Sequence, residues 1–441
     1  MFSSNSISEI LGIRDKNLKF TGKISNKIIN GVKFNILHST LTYTPDVCPH
    51  CGSVNENYSI VKNGSQKVKI LINRINNVPT ILEVKKQRFC CKDCGRTFIA
   101  ETSLTDKGCS ISNDVKASII DKLVDIVAMK TIAKDHYVSS NTVIRVLRST
   151  ESKTNKNFLP KKIAIDVPKG IKKFKSTKKV DASMSVNITD IDTGHVFDIV
   201  SDRRKKYLGE YLRSFSEEAR NNVKIITTDM YPTYIELAKK FFPNAIIVLD
   251  KFHIVQMFTR NMNKLRVLEM KNFKTHSHEY RVLKRYWKVL LAKDWNLNSV
   301  YFYKYTCYKK FTNTKEIKYD ILNFSDRIKE ANIYYQKFLL CIEKRDVEGL
   351  KKLVNKDINE IPECFRTSVY SLKKHMKYVI NSLSTSYTNA HAEDNNNLIK
   401  AYKRVSFGFK SYKNMKLRIL LRNRYKVQKN SEADGLFSHI S

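Results

Sequence analysis

From Val180 to Ile188 apolar residues fall at every second position. Val180, Ala182, Met184, Val186 and Ile188 share one face, which predicts a half-buried strand. The turn signal DIDTG (190–194) follows, and HVFDIV (195–200) returns as the hairpin partner. Before this hairpin, KKIAID (161–166) is a short apolar run closed by a carboxylate. After it, VKIITTD (223–229) is a buried-strand pattern closed the same way. Leu208, Leu212 and Phe215 mark a helical face between them. YPTYIELAKKFF (231–242) reads as a helix and NAIIVLD (244–250) as a further strand.

The order is strand, two-stranded hairpin, helix, strand, helix, strand. This is the order of an RNase H-like α/β fold. Its first and fourth strands are neighbours, so Asp166 and Asp229 are expected to meet at one end of the sheet. Residues from about 252 to 380 are rich in Lys, Leu, Tyr and Phe and nearly free of Pro and Gly, which predicts a helical insertion. Beyond about 388, TNAHAEDNNNLIKAYKRVSFGFKSYKN reads as a helix followed by a basic, aromatic loop.

The chain has 441 residues, with 80 Lys and Arg against 42 Asp and Glu and a formal charge of +38. An excess this large, spread along the chain, destabilises a compact fold unless a polyanion is near, and nucleic acid is the usual one. Ribosomal and membrane-surface proteins share the trait, so charge alone leaves the class open. No apolar run reaches the eighteen or so residues of a membrane helix. The start, MFSSNSISEILGIRDK, is not a secretory signal. A cytoplasmic, nucleoid-associated location with no membrane partner is expected. There the nine cysteines stay reduced, and clustered ones read as metal ligands.

Two Cys-x-x-Cys knuckles, Cys48–Cys51 and Cys91–Cys94, stand about forty residues apart, each followed by glycine (Gly52, Gly95). Four thiolates in this arrangement suit a tetrahedral structural zinc. Cys90 is a competing ligand, but the two-residue spacing to Cys94 favours Cys91. MKTIAKDHYVSSNTVIRVLR (129–148) fits a helix-turn-helix. Ala133 is small at the helix contact, and Ser139 or Ser140 can cap the second helix. Val143 and Val146 face the core, and Ser140, Asn141, Thr142 and Arg145 project toward a major groove. Tyr137 occupies a turn position where glycine is commoner.

Asp166 and Asp229 at strand ends have the chemistry for two-metal phosphoryl transfer, which needs carboxylates on a rigid scaffold. Glu393 opens a helix that carries Asn397, Lys400 and Arg404 on one face. This offers a third ligand and, beyond it, cations for phosphate.

These segments together resemble the DDE transposases of bacterial insertion sequences, in particular the ISL-three group. The likeness includes CPHCGS (48–53), KKQRFCCKDCGRTF (85–98), IAID (163–166), DIVSDRR (198–204), TTDMYPTY (227–234), FPNAIIVLDKFHIVQ (242–256) and EDNNNLIKAYKRVSFGFKSYKN (393–414). The resemblance places the catalytic triad on Asp166, Asp229 and Glu393, with two Mg²⁺ ions that Mn²⁺ replaces. It implies binding of terminal inverted repeats and target DNA, cleavage and strand transfer, and a homodimer or larger assembly on DNA. Lys400, Lys403 and Arg404 are expected on the DNA backbone. Two positions depart from the family pattern. Val167 follows the first Asp where Glu is frequent, and Glu393 sits in Ala390-His391-Ala392-Glu393-Asp394 instead of among glycines. Asp394 is thus a rival ligand. Asp250 and His253 are frequent in the family, and read here as a helix cap and as a core or DNA-facing histidine. A non-catalytic DNA-binding regulator and an RNase H-like nuclease without strand transfer are the competing readings.

The expected architecture is multidomain α/β. An N-terminal arm (1–40), a zinc-ribbon domain (41–105) and a helix-turn-helix domain (106–151) precede an RNase H-like catalytic domain (161–425). That domain holds the helical insertion (about 254–380), and a C-terminal tail (426–441) follows.

Overall fold

Two long hairpins build the first sheet. In the computed structural model, which describes residues 4–167, 185–406 and 411–437, helix α1 (Ser4–Ile10) precedes strands β1 (Leu18–Ile29) and β2 (Val32–Leu41). The turn between these strands is Asn30-Gly31, both at positive φ (48° and 77°), the geometry that matches strand twist in a two-residue hairpin. Strands β3 (Ile60–Ile75) and β4 (Val78–Cys91) repeat the device with Asn76-Asn77 at 48° and 63°. The strand order is β1-β2-β4-β3, and a short β5 (Thr97–Ile99) pairs with β4. Leu37, Leu41, Ile70, Leu82 and Val84 are buried in its core.

The segment 18–41, nearly all of it within the expected N-terminal arm (1–40), therefore supplies two of the five strands of this sheet. β2 runs parallel to β4 from Asn35–Thr80 to Leu41–Lys86. Its periodicity is weak in sequence because β1 is an edge strand, exposed along nearly all its length.

Three short helices follow: α2 (Asn113–Val124), α3 (Met129–Asp135) and α4 (Ser140–Ser149). Ile119, Leu123, Ile132, Val143 and Leu147 form their shared core.

The second sheet begins with β6 (Lys162–Asp166), β7 (Val186–Asp190) and β8 (Val196–Val200). Helices α5 (Lys205–Arg213) and α6 (Glu217–Asn221) lead to β9 (Ile225–Thr228), and α7 (Pro232–Phe241) leads to β10 (Ile246–Leu249). The order is β10-β9-β6-β7-β8, with β9 and β10 parallel to β6 and the hairpin antiparallel, the RNase H-like arrangement. Positions Val180, Ala182 and Met184 of the expected strand lie outside the described residues, and the strand itself runs on to Asp190. On β7, Val186 and Ile188 enter the core with Leu208, Leu212, Leu237 and Phe241. Asn187 and Thr189, equally buried, point to the opposite face.

The insertion consists of α8 (Lys251–Met270), α9 (His278–Arg285), α10 (Trp287–Leu291), a two-stranded ribbon β11 (Tyr303–Lys304) and β12 (Phe311–Thr312), then α11 (Thr314–Asn323), α12 (Asp326–Glu343), α13 (Val347–Val354), α14 (Glu363–Lys374) and α15 (Met376–Ser384). Phe258, Phe338 and Phe365 stack at its centre, with ring centroids 3.8 and 5.2 Å from Phe258. Burying each such ring contributes roughly 1.5–3 kcal/mol.

Helices α16 (Ala390–Val405) and α17 (Tyr412–Phe437) end the described chain. Contacts divide the chain into two bodies, residues 1–153 with 401–441, and residues 154–400. Residues 401–424, expected within the catalytic domain, thus pack with α2–α4 instead. Leu417 and Leu421 enter the core of α2–α4, and Arg418, fully buried, donates to the carbonyls of Leu123, Asp125 and Val127 at 2.9, 2.8 and 2.6 Å. A cation there satisfies the open carbonyls at the end of α2. Burial pulls the Arg418 guanidinium down to about 10. Among the described residues no helix is long and apolar enough to cross a membrane.

Candidate active site and metal centre

The two knuckles close by the same hydrogen bonds. Gly52 N donates to Cys48 O at 3.0 Å and Gly95 N to Cys91 O at 2.9 Å. Both glycines have left-handed φ, 77° and 68°, which a side chain would strain. The folds of β3 and β4 then bring the knuckles together. Cys48 Sγ lies 3.8 Å from Cys94 Sγ, Cys51 Sγ lies 3.8 Å from Cys91 Sγ, and all four sulfurs are within 4.8 Å of one another. A tetrahedral zinc with bonds of about 2.3 Å sets its sulfurs roughly 3.8 Å apart, so the set fits a structural zinc. The Ser53 hydroxyl, then its backbone, hold the Cys51 thiol down to about 6, while burial and the neighbouring thiols push Cys94 up to about 12. Cys90 stays outside the cluster, its sulfur directed at Cys91 O. His50 is exposed and meets Phe98 edge-on.

In the helix-turn-helix, the Ser139 hydroxyl caps α4 by accepting from Thr142 N at 3.1 Å. Ser140, Asn141 and Arg145 are exposed, Thr142 is half-buried, and Arg145 donates to Thr142 Oγ1 at 3.2 Å. Tyr137 takes φ 54° at the turn, the position where glycine is usual. Its ring packs edge-on against Phe34 at 5.6 Å, a contact that offsets the strain and that glycine could not make.

In the second body, three parallel neighbours deliver acids from their C-terminal ends. Asp166 ends β6, Asp229 follows β9, and Asp250 follows β10, where its backbone N donates to Thr228 O at 2.9 Å. Each carboxylate is held by the turn it starts. Asp166 accepts from Val167 N, Asp229 from Tyr231 N ahead of the helix-opening Pro232, and Asp250 from Phe252 N as the cap of α8. His253, one turn into α8, is the common neighbour. Its ring nitrogen lies within 4.8 Å of carboxylate oxygens of Asp166 and Asp229 in one group, and of Asp250 and Glu393 in another. Asp166 and Asp229 are thus brought together, while Glu393 joins through Asp250 and His253. Asp166, His253, Glu393, Asn396, Asn397 and Lys400 line a cavity of about 220 Å³. Asp394 is exposed and belongs to neither group.

The asparagines after Glu393 fasten α16 to the sheet. Asn396 Nδ2 donates to Asp166 Oδ2 at 2.8 Å and its Oδ1 accepts from Asn187 at 3.3 Å. Asn395 Nδ2 donates to Thr189 Oγ1 and to Gly194 O at 3.2 and 3.0 Å. Gly194 has φ 71°, and a Cβ there would meet the His391 ring at 3.1 Å, so helix and hairpin close on a glycine.

Burial pushes the Asp250 carboxyl above its usual range. His253 opposes the shift, and the charges of Glu393 and Asp166 add to it. Asp250 Oδ2 and His253 Nε2 are buried without a hydrogen bond, 3.9 Å apart. Crowded carboxylates, one of them with an unsatisfied oxygen, are the oxygen donor set of a hard divalent cation, whose ligands at about 2.1 Å lie roughly 3–4 Å from each other. The residues present therefore fit such an ion. The sequence reading did not place Asp250, His253, Asn395 or Asn396 in the site. A signal was there: three strand ends in a row carry Asp, and three consecutive asparagines inside a helix are poor helix formers that need another purpose.

A sheet of this order with acids at adjacent strand ends is that of the RNase H-like class, here joined in one chain to a zinc ribbon and a helix-turn-helix. The family model for the DDE domain of the ISL-three (ISL3) group, described as Transposase, matches residues 169–419. A second, described as zinc-finger of transposase IS204/IS1001/IS1096/IS1165, matches residues 44–94. The first match covers more than half of the 441 residues, and the chain belongs to the ISL3 transposases. A protein of Lactococcus lactis subsp. lactis named ATP-dependent protease is 34% identical over 103 residues, which are 23% of this chain and 33% of that protein.

Proposed function

We propose that this transposase binds the terminal inverted repeats of an insertion sequence and catalyses metal-dependent cleavage and strand transfer. The observation that carries the reading is the meeting of acids from β6, β9, β10 and α16 around His253. Asp166, Asp229 and Glu393 are the proposed holders of two Mg²⁺ ions, with the Asp250 carboxylate a further oxygen donor beside them. When bound, such ions supply Lewis-acid stabilisation to the attacking and leaving oxygens of an in-line displacement at phosphorus.

The chain's own contributions follow from its contacts. Asn396 keeps Asp166 Oδ2 aimed by donating to it, and Asn187 keeps Asn396 from turning its amide. Lys400, at the cavity wall, with Lys403 and Arg404 farther along α16, hold the DNA backbone by charge-assisted bonds. Ser140, Asn141, Thr142 and Arg145 read the repeats, while the zinc of Cys48, Cys51, Cys91 and Cys94 holds the ribbon. Two copies serve the two ends of one element, in the cytoplasm at the nucleoid.

The test is a supercoiled plasmid carrying the element's ends, incubated with the protein and Mg²⁺. Nicking at the ends followed by joining to target DNA is expected. Binding without nicking points to a regulator, and nicking without joining to a nuclease.

A further inference from the structure

The helical insertion exposes aromatic rings that its core leaves unused. Trp287, Trp295, Tyr301, Phe302, Tyr303 and Phe311 each keep 40% or more of their surface in water. Six large rings left in water within twenty-five residues of chain are more than a core needs, and exposed apolar surface of this kind marks an interaction site. Their mounting is ordered. Asn298 Oδ1 accepts from Val300 N and Tyr301 N, both at 3.0 Å, and Asn298 N donates to Thr314 Oγ1 at 2.8 Å, which pins the loop to the start of α11. In the ribbon, Lys304 stands directly across from Phe311.

Charge decides what covers these rings. Between Trp287 and Phe311 there are five lysines and one acid, Asp294, which pairs with Lys318. Two copies docking through this segment would set lysine against lysine. Rings interleaved with cations instead match a nucleic-acid strand whose bases are out of the helix: the rings stack on bases and the ammonium groups meet phosphates. A blunt duplex hides its base faces and offers the rings nothing.

We infer that the segment around β11 and β12 is a stacking platform for unpaired DNA bases. This rests on the DNA-acting reading above and adds a second contact, separate from the carboxylates. It suits a reaction in which strands are parted at a cut end.

Trp287 and Trp295 are the only two tryptophans in the chain and both lie in this segment, so intrinsic fluorescence reports on it. The full-length protein is titrated with a blunt duplex and with the same duplex bearing a short unpaired thymine tail. Tailed DNA is expected to quench tryptophan emission at about tenfold lower concentration than blunt DNA. Phe311→Ala is expected to remove that preference, Phe311→Tyr to keep it, and neither to change blunt-duplex binding in a mobility-shift assay. The ring is exposed, so the alanine variant leaves the core intact. Equal quenching by both DNAs, or an unchanged preference in Phe311→Ala, overturns the inference. So does emission that shifts with protein concentration in the absence of DNA, which would mean a second copy on the rings. If the preference is absent while blunt duplex still binds, the inference alone falls. If no DNA binds at all, the DNA-acting reading falls with it.

Discussion

The cysteine cluster and the carboxylate cluster are both built for metal, and they are built in opposite ways. In the ribbon, each half of the ligand set lies within four residues and is closed by its own glycine turn, Gly52 or Gly95. The halves then need only one hairpin to meet. In the second body, the acids come from three strand ends and a helix more than a hundred residues away, and each strand-end carboxylate also serves a local turn or cap. The sulfurs sit at the spacing one ion prescribes. The acids repel one another, and Asp250 is pushed toward its neutral form. The first site gains stability by filling, because soft thiolates around zinc are a fold's cross-link. The second stores electrostatic strain that bound cations would relieve, the arrangement expected of a site kept for chemistry.

Removing zinc tests the first half of this contrast and carries the largest expected effect. Binding at structural sites contributes on the order of 10 kcal/mol to folding. Cys48→Ala, or a strong chelator, is therefore expected to melt the first sheet, seen as lost strand dichroism, while the helical insertion persists. A ribbon that stays folded without metal would break the comparison.

The second site should behave the other way. Glu393→Ala is expected to cut end cleavage by about a thousandfold or more, the several kcal/mol that a metal clamp supplies. Its melting temperature should hold or rise, since one repelling charge is gone. Asp394→Ala should cleave like the parent, and Mn²⁺ should replace Mg²⁺ in both. A dead Asp394→Ala beside an active Glu393→Ala would reassign the third ligand.

Asn396 sharpens the point, because it donates to Asp166, a proposed metal ligand. Asn396→Ala is expected to lower apparent metal affinity about 10- to 100-fold. Excess Mg²⁺ should restore the rate, which a merely structural loss would not permit. Arg145→Ala belongs to neither metal site. It should cost about 1–3 kcal/mol in binding to the element's ends with little change on random DNA. Equal weakening on both would mean a phosphate contact alone. The smallest effect is expected for Ser139→Ala, about 1 kcal/mol of stability from the lost cap of α4, read as a small drop in melting midpoint.

Much of this molecule is legible along the chain because its signals are short. The two knuckles, the cap before α4, and the strand runs closed by Asp166 and Asp229 each depend on residues within one turn or one strand of each other. Spacing and period therefore report them, and the order of the strands is enough to make β6 and β9 neighbours. The edge strand β1 is less legible, since a strand exposed on both faces carries no alternation. The C-terminal helix α17 joins its body through Leu417 and Leu421 in the core of α2–α4 and through the buried cation Arg418, bonded to carbonyls nearly three hundred residues away. Asp250 reads locally as a helix cap, which it is. Only the pairing of β10 beside β9 and the packing of α16 across the sheet give it a second task. His253, Asn395 and Asn396 have the same history: each looks like an ordinary polar residue at a helix start until distant backbone brings Asp166, Thr189 and Glu393 to it. Local geometry is encoded within a few residues. The meeting of unlike-placed side chains depends on the summed packing of two cores, so the tertiary structure alone decided which acids share a histidine.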